Sequence, residues 1–265
     1  MDTEPQNFVE YACADRVATI TLNRPDKLNA VSDDVVRQLA DAFRRFDLDP
    51  EAEIAILNGR GRAFCSGADV RQRQLRSRDE FEQHGGPQGW GANSADLLTR
   101  AVNWKPVICA AHGYVLGLGL GLMLECDLIV AAEGTRMQLT ETSRGLGASR
   151  YWALFQYRAA GAFGDEIALT GRFFTAEEAF EAGIINRLAP EGKHLEVAQE
   201  LAQQVAKNPP LAVRTTVRTR RWYMHRLTRE AQFFAEPFRL YLTEDFHEAA
   251  SAFAEKRAPR PFKGR

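Results

Sequence analysis

The sequence predicts an α/β fold carrying a helical C-terminal region, and three observations lead there. Up to about residue 135, β-branched apolar runs alternate with helical patterns; from about residue 148 the pattern turns helical and stays so; and glycine-bearing turns directly follow two of the strand-like runs. Strands interleaved with helices first, and helices afterwards, describe a layered core with a helical appendage.

The elements follow in order. Residues 16–22 (RVATITL) are β-branched and strand-like, and the turn-like NRPDKLNA comes next. Ser32 stands before Asp33 and Asp34, an N-cap with acids in the first turn. Val35, Leu39, Ala42, Phe43 and Phe46 share one helical face, while Arg44 and Arg45 suit its negative C-terminal end. EIAILN forms a second strand leading into GRGRAFCSGADV. Residues 71–94 are polar and contain HGGPQGWG, which predicts a mobile loop flanked by short helix; 95–104 reads as helix. Pro106 to His112 is a third buried strand, and CDLIVAA a fourth. Helices are expected over 151–160, 162–170, 175–182 and 194–207, then from Pro210 to about Leu242, with Pro210 at a first helical position. The division falls between a core, 1–205, and a helical region, 206–265.

Composition narrows the function classes. With 265 residues, 45% hydrophobic and a formal net charge of −1, the chain can bury a large core. That charge argues against a dedicated nucleic-acid or membrane-surface protein. Cys13, Cys65, Cys109 and Cys126 show no C-x-x-C spacing, so they are expected as reduced core residues in a cytosol-like compartment, and no metal site is expected. The N-terminal MDTEPQNF has neither a basic segment nor an apolar one, so no secretory leader is expected. No apolar run approaches the ~20 residues that span a bilayer. Six arginines between 214 and 229 form a helical comb; the acids after it (Glu230, Glu236, Glu244, Asp245) favour intersubunit ion pairs over RNA binding.

The chemistry concentrates in two turns, CSGAD (65–69) and LGLGL (116–120), each where a strand hands over to the N-terminus of a helix. Free backbone N–H groups and a positive helix end make each turn a plausible anion site. Either alone is also an ordinary tight connection; two converging on one point would make an oxyanion hole for a thioester or ester carbonyl. A dinucleotide fingerprint fails, because a third glycine counted from Gly117 or Gly119 falls on Leu122 or Leu124.

Four stretches, VATITLNRPDKLNAVS, AILNGRGRAFCSGADV, KPVICAAHGYVLGLGLGLMLECDLIVAAEGTRM and EKRAPRPFKGR, resemble the enoyl-CoA hydratase/isomerase (crotonase) family, in the expected order from about residue 8 to the C-terminus. The resemblance implies a spiral of ββα units, a helical C-terminal trimerisation region, and a trimer or dimer of trimers. It implies a coenzyme A thioester as substrate, with no separate cofactor. The oxyanion donors would be the N–H groups of Ala68 and Leu118. Coenzyme A contacts would come from Lys27, Leu28, Ser66, Asp69, Val70 and Arg71, and from Phe253 and Lys256, which in the family reach the nucleotide of a neighbouring subunit.

Family hydratases use two glutamates beside one water. Here the first glutamate's place holds Gly121, and the second is Glu141, in MQLTETSRGLG. One carboxylate suits a proton shuttle from the α- to the γ-carbon of a thioester, so the first expectation is Δ3,Δ2-enoyl-CoA isomerisation with Glu141 as acid/base. The alternatives are a hydratase or dehydratase using Glu141 plus another group, and a non-catalytic acyl-CoA-binding protein. Glu141 read without the family is a capping or ion-paired surface acid. Glu125, four residues after Gly121, is either a substitute acid or a buried charge paired with an arginine. His112 reads as a hydrogen-bonded core histidine, His84 and Trp90 as parts of a loop over the acyl chain or of a solvated one, and Tyr151 and Trp152 as pocket lining or core. Ser149 and Arg150 stand where some members carry a further acid, which argues against dienoyl-CoA isomerase chemistry.

Overall fold

A computed structural model describes residues 6–86, 101–158 and 160–265. Two hydrogen-bonded layers organise the chain. The larger is a six-stranded sheet, β1 (Val9–Ala14), β2 (Val17–Leu22), β3 (Ile54–Gly59), β4 (Val107–Ala111), β6 (Leu128–Ala132) and β9 (Arg187–Ala189) in that spatial order, parallel except for the β1–β2 hairpin. The smaller contains β5 (Tyr114–Leu116), β7 (Arg136–Gln138) and β8 (Phe173–Thr175), and single bridges Val31–Ala68 and Cys65–Val115 extend it. Successive passages place one strand in the large sheet, a short one in the small sheet, and then a helix. That is the expected spiral of ββα units.

The large sheet is covered on both faces, and its strands show why. In β3, Ile54 and Ile56 face Ala198 and Ala202 of helix α8 (His194–Ala206), while Ala55 and Leu57 face the larger core on the other side. That core takes Leu39, Phe43 and Phe46 of α1 (Asp33–Leu48), the helical face read from the sequence. The side chain of Ser32 accepts from the Val35 N–H, as its capping role requires. Lys105 Nζ donates to the Phe46 and Asp49 carbonyls at the C-terminal end of α1, at 3.0 and 2.6 Å.

Helix α4 (Leu118–Glu125) is buried at every position. Its C-terminal carbonyls are held by arginines: Arg158 donates to Leu124 O at 2.9 and 2.8 Å and also to Cys126 O, and Arg220 reaches Cys126 O at 3.3 Å. Burial lowers Arg158 to about 10, so it stays cationic at neutral pH against the negative helix end.

Several expectations need correction. The predicted strands at 16–22, 53–58, 106–112 and 126–132 are present as β2, β3, β4 and β6. The polar 71–94 stretch holds two short helices within its described part, α2 (Val70–Arg73) and α3 (Arg78–His84); Trp90 and most of the predicted 95–104 helix lie outside the described residues, and 101–104 is not helical. Helices α5 (Ser149–Tyr157), α6 (Gly161–Thr170) and α7 (Ala176–Glu181) match their expected positions. The long C-terminal helix ends earlier than expected: α9 runs Pro210–Ala235, and α10 (Glu244–Ala254) is separate. Pro237, within the 3-10 turn Glu236–Phe238, disfavours helical backbone just before it. Three arginines of the comb pair inside the chain, Arg220 and the buried Arg221 both on Asp127, the former at 3.0 Å, and Arg226 on Glu230 at 3.0 Å. Among the described residues no helix is long and apolar enough to cross a membrane, and no group of three or more His, Cys, Asp or Glu is placed to hold a metal. The four cysteines are free, three of them fully buried.

Candidate active site

The two glycine turns meet. Gly67 has φ +96°, and a Cβ built there would sit 2.9 Å from Leu116 O and 3.6 Å from the Leu118 N, so the CSGAD turn touches the start of α4. Gly117 caps α4 with φ 47° and ψ −117°, a conformation L side chains rarely adopt. Neither the Ala68 nor the Leu118 N–H is taken by a backbone carbonyl among the described residues. Both residues line one large cavity of about 2260 Å³. Two free amides from adjacent turns, one at a helix N-terminus, are what a developing oxyanion requires.

Glu141 stands beside them. A Cβ at Gly117 would lie 2.5 Å from Thr140 Oγ1 and 3.4 Å from Glu141 Oε1. Glu141 occupies the N-cap of the 3-10 turn Thr142–Arg144 without capping it through its side chain, so the surface-cap alternative does not hold. Its Oε2 is buried and takes no hydrogen bond among the described residues. Burial pushes its carboxyl up to about 7, against smaller lowering contributions from local backbone, the Tyr151 hydroxyl and Arg144. A carboxyl poised near neutrality in a cavity is equipped to take and return a proton.

Of the expected coenzyme A contacts, Lys27, Leu28, Ser66, Asp69, Val70 and Arg71 all line this cavity. Asp69 is held in place: it pairs with Arg24 at 2.8 Å and its Oδ1 accepts from the Gln72 N–H at 3.4 Å, capping α2. Phe253 also lines it, under the Arg144 guanidinium at 3.6 Å. Lys256 does not line the cavity; it follows α10 with φ 56°.

Glu125 resolves to the second of its two readings, a buried charge paired with Arg150 and absent from the cavity wall. His112 bonds Gly61 O through Nε2 at 2.8 Å and stacks on His194 with ring centroids 4.4 Å apart, away from the cavity. Trp152 donates to Asp165 Oδ1 at 2.7 Å on the surface. Tyr151 lines the site, the first of its two readings, and its contact with Gly121 is new: the ring fills the space that a Gly121 side chain would take, a Cβ there overlapping Cε1 with the hydroxyl oxygen 3.2 Å away. Gly121 itself carried the signal, since a glycine inside a helix implies a close neighbour.

The enoyl-CoA hydratase/isomerase family model matches residues 13–265. The chain belongs to that family. It is similar to the mevalonyl-coenzyme A hydratase of Aspergillus fumigatus, at 32% identity over 93% of this chain and 92% of that one. Its similarity to the 2,3-dehydroadipyl-CoA hydratase of Escherichia coli is also 32%, over 94% and 96%. Among solved structures, an enoyl-CoA hydratase/isomerase from Mycobacterium paratuberculosis superposes with a TM-score of 0.81 at 26% identity, covering 94% of this chain and 99% of the other. As a member of the enoyl-CoA hydratase/isomerase family, the chain is an acyl-CoA enzyme of the hydratase or isomerase type.

Proposed function

We propose that this enzyme adds water across, or removes it from, the α,β-double bond of a 2-enoyl-CoA, with Glu141 as its acid/base. The observation that carries this is the buried Glu141 carboxyl, one oxygen unpartnered, beside two free amides in a single cavity. The thioester carbonyl accepts from the Ala68 and Leu118 N–H groups. Water attacks the β-carbon, its proton passes to Glu141, and charge develops on the carbonyl oxygen held by the amides. Glu141 then delivers that proton to the α-carbon, and dehydration runs the same steps in reverse. Coenzyme A lies along Lys27, Leu28, Ser66 and Arg71, with Phe253 beside it.

The hydratase names of the relatives support hydration over isomerisation. Isomerisation, the first expectation from sequence, keeps one observation in its favour: Glu141 is one carboxylate, and a Δ3 to Δ2 shift needs only one base. The purified enzyme, given crotonyl-CoA, 2,3-dehydroadipyl-CoA and a 3-enoyl-CoA in separate assays of thioester-conjugated absorbance, separates the two. Loss of the conjugated absorbance, abolished by Glu141→Gln, is the expected result. Isomerisation of the 3-enoyl-CoA with neither 2-enoyl thioester hydrated overturns it.

The same reading assigns a trimer as the working unit. Trp222, Phe233, Phe234 and Phe238 are exposed on and just after α9, apolar surface that another copy would cover. Light scattering giving three or six chains per particle is expected, and a monomer refutes it.

A further inference from the structure

The place of the missing second acid is filled. Gly121 lies in α4 against α5, and Tyr151 of α5 sits with its ring edge where a side chain at 121 would begin; Cζ and the hydroxyl oxygen are each 3.2 Å from that built Cβ. The ring is buried, yet the residue lines the cavity together with Glu141 and Leu118. The carboxylate closest in sequence, Glu125, is tied to Arg150 and does not line the cavity. The group that reaches the second acid's space is therefore a phenol. Across from it, Glu141 Oε2 is buried without a hydrogen-bond partner among the described residues.

We propose that Tyr151 is a second catalytic group of this enzyme, its hydroxyl holding the reacting water against Glu141 in the space that Gly121 leaves open. The inference rests on the hydration reading above. The phenol donates toward the Glu141 carboxylate and accepts from the water, whose other hydrogen points at Oε2. As the water oxygen bonds to the β-carbon, that hydrogen moves to Oε2 and the π electrons pass toward the thioester oxygen. The carbonyl reforms as the α-carbon takes the proton from Glu141. The phenol keeps its own proton throughout: burial, and then the charge of Glu141, raise Tyr151 well above the ordinary phenol range. One carboxylate thus supplies the proton transfer and the phenol supplies position, which accounts for a hydratase that keeps one acid of two.

Tyr151→Phe tests this, because it keeps the ring and removes the oxygen. Hydration of crotonyl-CoA is expected to fall ~100-fold in kcat, with KM within about 3-fold. Exchange of the α-hydrogens of butyryl-CoA with deuterium oxide, followed by NMR, needs Glu141 and the amides but no added water, and is expected to stay within about 3-fold. The acid limb of the exchange rate moves to higher pH, since the phenol helps hold the Glu141 carboxyl down. Unchanged hydration, or equal loss of hydration and exchange, overturns the proposal. A second variant guards against a purely structural effect: Gly121→Glu combined with Tyr151→Ala restores a two-acid arrangement and is expected to hydrate at least ~10-fold faster than Tyr151→Ala alone; no gain counts against it. If wild-type enzyme exchanges the α-hydrogens but hydrates nothing, the hydration reading has failed and Tyr151 with it. If Glu141→Gln hydrates normally, no base receives the water's proton and the proposal is overturned whatever Tyr151→Phe does.

Discussion

Replacing Glu141 by glutamine removes a carboxyl that folding has shifted from 4.5 to about 7, chiefly through burial. In the unfolded chain that carboxyl ionises near its ordinary value. Between the two values the folded state binds more protons than the unfolded one, so stability falls as pH rises through that window. At 1.36 kcal/mol per tenfold, the loss grows from under ~1 kcal/mol at pH 5 to about 3 kcal/mol at pH 8. Glutamine has no charge to desolvate, and whatever its amide costs in the same pocket does not depend on pH. The difference in unfolding free energy between Glu141→Gln and wild type should therefore swing in the variant's favour by about 2–3 kcal/mol from pH 5 to pH 8. Urea titrations of both proteins at equal concentration, at each pH, measure it.

The same substitution should abolish turnover, and wild-type kcat/KM should rise with pH through about 7 as the carboxylate forms. A stability difference independent of pH, or one that moves against the variant as pH rises, would show that this acid is not desolvated in the folded protein. The catalytic assignment would then lose its electrostatic basis. Function would be obtained here at the expense of stability, as expected for a group matched to its chemistry.

Gly119→Ala would place a Cβ 2.6 Å from the Cys65 carbonyl oxygen and 2.7 Å from Cys65 Cβ. It should separate the two turns, lower kcat/KM by ~10-fold or more and destabilise by about 1–3 kcal/mol; wild-type kinetics with crotonyl-CoA would refute the close-approach argument. Asp127→Asn removes the carboxylate that Arg220 and the buried Arg221 share and should cost about 3–5 kcal/mol, read from thermal or urea unfolding. Glu125→Gln should lower the melting temperature yet leave the acid limb of the pH–rate profile in place; a displaced limb would make Glu125 a working acid.

The parts of the fold visible in the sequence are those long enough to show a period. β2, β3, β4 and β6 are continuous β-branched or apolar runs of five or six residues, and α1 presents its core face plainly. β5, β7, β8 and β9 have three residues each, too few for alternation to register. β1 escaped because its hairpin turn, Asp15 and Arg16 at φ 49° and 66°, takes the positive-φ geometry without an Asn-Gly or Asp-Gly signal. In the site, Ala68, Leu118 and Glu141 could be named because the family resemblance places each of them in or beside a local motif. Tyr151 could not be assigned its place, since its contact with Gly121 is made between two packed helices thirty residues apart in the chain. Lys256 lies outside the cavity of its own chain, as a residue that reaches a neighbouring subunit's site would.

The alternation of glycine and leucine through Gly117, Gly119 and Gly121 has a geometric reason on a helix. Two residues advance about 200°, so Gly119 points opposite to Gly117 and Gly121, which share a side. On one side a built Cβ meets Cys65; on the other, the two meet the Thr140–Glu141 segment and Tyr151. Leu118, Leu120 and Leu122 are buried as well. The segment is thus a wedge between two walls, one carrying an amide donor and the other the acid and the phenol. Alanine at 119 or 121 would improve helix propensity by about 1 kcal/mol each. It would also push the walls apart by more than a hydrogen bond tolerates. A sequence selected for helix stability alone would not carry these glycines; under the proposed mechanism they let two amides, a carboxyl and a phenol approach a single thioester, which a Cβ at 119 or 121 would obstruct.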